Sequence, residues 1–137
     1  MPKIFTAPFA QDPKTATAVV TGVATVTNDT PSNTVLLLTA GADGAILTRL
    51  TAIPRATVTA ASLVLFLSKD NGTTQRLLDS ELMAAHTMAT TTAIPETVFS
   101  LYSETTPLRL AAGDRLYVGS QVALAGGIVF RAEFTDF

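Results

Sequence analysis

Turn residues divide this chain into about eight short segments, and nearly all of them favour strands because Thr, Val, Ala and Leu dominate. Ala16–Thr27 alternates, with Val19, Thr21, Val23 and Thr25 on one face and Val20, Gly22, Ala24 and Val26 on the other. The cluster Asn28–Asn33 turns the chain into a short buried strand over Thr34–Thr39, and Gly41–Gly44 turns it again. Ile46–Ile53 follows, with Leu47, Arg49 and Ile53 expected on one face and Ile46 and Leu50 on the other; Pro54 ends it. Ser62–Ser68 is apolar on both faces, as a central strand covered from two sides would be. Asn71-Gly72 supplies a hairpin turn, and Gln75–Leu82 is expected to pair back. Asp79–His86 reads either as continued strand or as one or two helical turns, and Thr87–Pro95 as a loop.

Val98–Tyr102 and Pro107–Leu110 supply two more short strands. The last stretch is the most regular. Leu116, Val118, Val122 and Leu124 share a face opposite Arg115, Tyr117 and Gln121, and Ile128, Phe130 and Phe134 alternate with Arg131 and Glu133. With Gly126-Gly127 between them, these two runs read as a β-hairpin with one wet face. The pattern predicts an all-β, single-domain antiparallel sandwich or barrel over residues 16–137.

Residues 1–15 read differently. Pro2, Pro8 and Pro13 fix φ, bias their predecessors toward extended backbone and interrupt any signal-peptide core. The expectation is an extended N-terminal arm whose Ile4, Phe5 and Phe9 need an apolar surface to lie on.

Composition says where surplus apolar surface must go. The chain is 47% hydrophobic and only 15% charged, against about 25% charged in an average soluble domain. Its longest apolar runs, Val35–Leu38 and Leu63–Leu67, are far below the roughly 18–20 residues of a membrane helix. Contact with other protein subunits is the expected sink, and no membrane partner is expected. Exposed positions around Tyr117, Ala123 and Phe137 are candidates for that contact, together with Ile4, Phe5 and Phe9 of the arm. Scattered Lys and Arg and a net charge of −2 argue against nucleic acid. No cysteine is present, so disulfides, thiolate metal sites and thiol nucleophiles are excluded.

No catalytic constellation emerges. His86 is the one histidine, so no His₂ or His₃ metal site forms within a chain. Asp79 and Glu81 stand two apart, which on a strand puts both carboxylates on one face, yet no third ligand is near in sequence. Asp43-Gly44, Asp70-Asn71-Gly72 and Gly113-Asp114 lack the spacing of a calcium loop and read as turns. The serines lie in strand-like contexts without a base, and Gly126-Gly127 is no phosphate loop. Asn28-Asp29-Thr30 and Asn71-Gly72-Thr73 match a glycosylation sequon by chance in a Thr-rich chain. Tyr102 and Tyr117 are the only tyrosines and tryptophan is absent, which leaves little for stacking on sugars. Neither a cofactor nor enzymatic activity is expected.

Three stretches carry a resemblance: Thr39–Ala52, Ser62–Ser68 and Leu110–Ser120, the last with the pattern Leu-x-x-Gly-Asp-x-Leu-x-Val. Over roughly Thr34–Phe137 the chain resembles small jelly-roll virion proteins of tailed bacteriophages. The resemblance implies a jelly-roll sandwich and a structural subunit of the virion. It points first to a capsid decoration (cement) protein, a homotrimer on the major capsid protein. Its alternatives are a tail, neck or fibre component, beside which stands a carbohydrate- or receptor-binding β-sandwich module.

Overall fold

In the computed structural model, which describes residues 12–137, nine strands form two antiparallel sheets and no helix. They are β1 Asp12–Val20, β2 Val35–Thr39, β3 Ala45–Pro54, β4 Ala61–Ser68, β5 Arg76–Met83, β6 Thr97–Val98, β7 Leu108–Leu110, β8 Arg115–Ser120 and β9 Ile128–Asp136. One sheet runs β1-β9-β3-β6, with β7 sharing the same edge of β3 as β6; the other runs β2-β8-β4-β5. With β7 set aside, this interleaving of chain-end and mid-chain strands is that of an eight-strand jelly roll. The sandwich expected from the turn spacing is present.

The core lies between the sheets. Leu47, Leu50, Phe130 and Ile128 meet Leu63, Leu65, Leu116 and Val118 there, all without measurable exposure. Phe99, which follows β6, enters the same core: its amide donates to Leu50 O at 2.9 Å and its ring lies 6.3 Å from that of Phe130. One buried side chain thus anchors an edge strand only two residues long.

Four expectations change. The strand expected over Val98–Tyr102 is the two-residue β6, and the chain turns at Ser100-Leu101 because Phe99 has entered the core. The run Arg115–Leu124 and the run Ile128–Phe134 do not form a hairpin. β8 sits between β2 and β4 in one sheet while β9 sits between β1 and β3 in the other, so the Gly126-Gly127 turn carries the chain across the sandwich. Both runs bury the faces they were expected to bury. Alternation reports which face of a strand is dry, not which strand lies beside it.

The faces of β3 also differ from expectation. Leu47 and Leu50 both point into the core, and Ile46, Arg49 and Ile53 away from it. The register against β9 slips between Leu47 and Arg49, and that bulge reverses the parity of every later residue. Thr48, the extra residue, donates its hydroxyl to Glu133 O at 3.1 Å.

Finally, β1 starts at Asp12 and stops at Val20, rather than spanning Ala16–Thr27. Residues 12–15, expected in the arm, pair with Glu133–Asp136 of β9. Val20 is level with Ile128, where β9 begins, so no ladder partner exists beyond it. The following segment lies over the outer face of the second sheet, where Ala24 and Val26 cover Val64 and Phe66. Its ties include the Ala24 amide donating to Ser120 O at 2.7 Å, the Leu124 amide donating to Thr21 O at 2.9 Å and the Gln75 amide donating to Asp29 O at 2.8 Å. β4 is therefore covered on both faces, as its sequence required.

Candidate interaction surface

β5 pairs with β4 as expected, and the ambiguous stretch from Asp79 is strand through Met83. The link between them turns on Asn71 and Gly72, with φ of 61° and 92°, the left-handed region that an Asn-Gly pair tolerates. A Cβ on Gly72 would collide with the Tyr117 hydroxyl. β5 is an edge strand, so its outer backbone groups face away from β4.

Register decides what each face of β5 carries. Asp79 lies opposite Leu65 and Glu81 opposite Leu63, so both acids take the side of the sheet that faces the core. A bulge opposite the Leu65–Phe66 step leaves Leu78 as the extra residue and turns Leu77 outward, opposite Phe66. Leu82 also points outward and is 70% exposed. Inward-pointing charges on an edge strand discourage unlimited strand-to-strand growth. The leucines remain available on the other side.

Exposed apolar side chains concentrate at this edge. Among the described residues nine large hydrophobics are exposed, and six of them, Leu77, Leu78, Leu82, Ile94, Val98 and Leu101, fall on β5, β6 and the segments beside β6. Leu82 and Val98 line one groove of about 280 Å³ at the open side of the sandwich. Glu81, Met83, Thr97 and Pro54 complete most of its wall. Arg49 holds Glu96 at 3.1 Å beside it, which fixes the chain just before β6. Residues 77–106 contain four acids, Asp79, Glu81, Glu96 and Glu104, and no Lys or Arg. The edge is thus apolar with acids along it, Glu96 paired with Arg49 and Arg76 standing at the start of β5.

The carboxylate pair predicted from its spacing does share a face, but its surroundings are those of a strand edge. Ser100 donates its hydroxyl to Glu81 at 3.3 Å, and the Ser80 amide donates to Asp79 at 2.8 Å. Burial raises the Asp79 pKa, against the Ser80 hydrogen bond and with the charge of Glu81 adding to it. Tyr102 is pushed up to about 12, chiefly by burial and further by the charge of Asp79. Among the described residues no group of three or more His, Cys, Asp or Glu side chains is placed to hold a metal ion. His86 pairs through its backbone with Val58 at 2.9 and 3.0 Å.

The acids at the expected turns serve those turns. Asp70 accepts the Thr74 amide at 2.8 Å and the Ser68 hydroxyl at 3.0 Å, which lowers its pKa. Asp114 accepts the Ala111 amide at 2.9 Å and Lys69 at 2.8 Å.

The residues singled out for contact fall elsewhere. Ile4, Phe5 and Phe9 lie outside the described residues. Tyr117 is half-buried on the outer face of the second sheet, packed against Val64 and Phe66. Phe137 is half-buried beside the start of β1, its amide donating to Gly44 O at 3.1 Å, and Ala123 is exposed in the β8–β9 link. None of the three is on the β5–β6 edge. The pairing expected of β5 does not by itself mark the leucines of that edge as exposed. Its signal is Leu77-Leu78 and Leu82 flanking two acids, which leaves neither face able to be fully buried.

Comparisons of the chain with family models, with curated proteins and with solved structures found no match in any of the three.

Proposed function

We propose that this chain is a non-enzymatic structural subunit of a tailed-phage particle, a decoration protein that binds the head lattice and its own copies, as a trimer, through apolar contacts. The observation that carries the reading is the gathering of six exposed Leu, Ile and Val side chains on one edge of a jelly roll. The sequence resemblance to phage virion jelly rolls supports the same assignment. The mechanism is burial. Each Leu or Val taken out of water contributes about 1.5–3 kcal/mol, so several together offset an association cost of about 4–15 kcal/mol. A rival reading as a sugar-binding module would use the shallow polar groove of Arg49, Tyr102, Ser103, Glu104 and Glu133. Tyr102 is the one aromatic ring there, and it packs against the core.

The test is to mix purified protein with phage heads that lack it and band them on a density gradient. Saturable co-sedimentation at a fixed number of copies per head is expected. Heads that remain bare, with binding on a glycan array instead, would replace this reading with the sugar-binding one.

A further inference from the structure

We propose that the N-terminal arm of one copy, residues 1–11, docks by Ile4, Phe5 and Phe9 in the Leu82–Val98 groove of a second copy. This inference rests on the reading above, and it names the partner of the exposed edge as another copy of this chain.

Geometry separates a second copy from the chain's own arm. The described part of β1 begins at Asp12, which is level with Asp136 on β9 and Ala45 on β3. Val98 is level with Thr51, across three strand spacings and six residues further along β3. At roughly 4.8 Å per strand and 3.3 Å per residue, the groove lies about 25 Å from Asp12. Phe9 stands three residues before Asp12, so its Cα reaches at most about 11 Å. A chain cannot place all three anchors in its own groove. It can place them in the groove of a neighbour.

Chemistry favours the same pairing. Residues 1–11 carry Lys3 and no acid, while Glu81 and Glu96 line the groove, Glu96 held by Arg49 and Glu81 by a hydroxyl alone. Pro2 and Pro8 favour extended backbone but remove two amide donors, so side chains in the groove rather than a continuous ladder hold the arm. Giving and receiving surfaces lie at opposite edges of the sandwich, β1 and the β5–β6 edge. A contact between two different surfaces joins copies head to tail, and it makes a closed ring where the rotation between copies divides the full turn.

Two variants and their mixture test this by light scattering. One lacks residues 2–11; the other is Leu82→Glu, a change at a 70% exposed position that leaves the core intact. The unaltered protein should have a mass several times 14.3 kDa, and each variant alone should fall to the mass of its single chain. The mixture should recover a dimer, because the truncated copy still offers a groove and the Leu82→Glu copy still offers an arm. Far-UV circular dichroism of both variants should match the parent. A truncated protein that stays oligomeric, or a mixture that stays monomeric, would overturn the inference. So would a parent that is monomeric, with arm deletion abolishing only head binding; that result would leave the decoration reading standing and assign the arm to the lattice.

Discussion

Leu65 and Phe66 are adjacent on β4, neither has measurable exposure, and they belong to two different apolar clusters. Leu65 joins the core between the sheets, whereas Phe66 is covered from outside by Ala24 and Val26 of the β1–β2 segment. The two truncations should therefore separate. Phe66→Ala should cost about 3–5 kcal/mol, and Leu65→Ala about 2–5 kcal/mol, in urea unfolding. Only Phe66→Ala should release the cover, seen as faster exchange of the Ala24 amide, now bonded to Ser120 O at 2.7 Å. Equal exchange rates at Ala24 in both variants would show that the cover is held by its backbone bonds alone.

The cover also approaches β8 closely at Gly119. A Cβ there would lie 2.7 Å from the Ala24 methyl and 3.4 Å from Val64 Cγ2. Gly119→Ala should destabilise by about 1–3 kcal/mol as the cover is pushed off. Ala24→Gly in the same chain removes the atom that is struck, so the double variant should be more stable than the sum of the single changes, by about 0.5–3 kcal/mol. Additive losses in denaturant midpoints would place the strain elsewhere.

Asp79 supplies a pH dependence of unusual sign. Burial raises its pKa above the ordinary value of an aspartate, so the folded state holds this proton more tightly than the unfolded chain. Its contribution to stability is therefore greatest below the ordinary carboxylate range and falls as pH rises through the raised folded value. Asp79→Asn should then stabilise the protein at pH 7 by roughly 0.5 kcal/mol, and the gain over the parent should vanish near pH 3. Urea midpoints of both proteins across that range measure it. A gain that persists in acid would mean that charge at Asp79 is not its source.

How much of this was legible beforehand follows from the range of each signal. The double-sided apolar run at Ser62–Ser68 marked a central strand, and Asn71-Gly72 marked its hairpin, because both features act within a few residues. The shared face of Asp79 and Glu81 followed from a period of two. The faces of β3 did not follow, since a single bulge at Thr48 reversed the parity and nothing in Thr48 itself announces one. Nor did the exposure of Leu82 and Val98, which lie 16 residues apart and line the same groove only because β5 and β6 end different sheets.

The sequence by itself determined that this chain is all-β, where most of its strands lie and which faces most of them keep dry. Those properties depend on local conformational preference and on alternation of apolar side chains. Only the tertiary structure decided that β8 and β9 part company into opposite sheets, that residues 21–34 cover β4, and that the leucines of β5 stand exposed at an edge. Each depends on which strands become neighbours, a choice made by packing across the core between residues far apart in the chain.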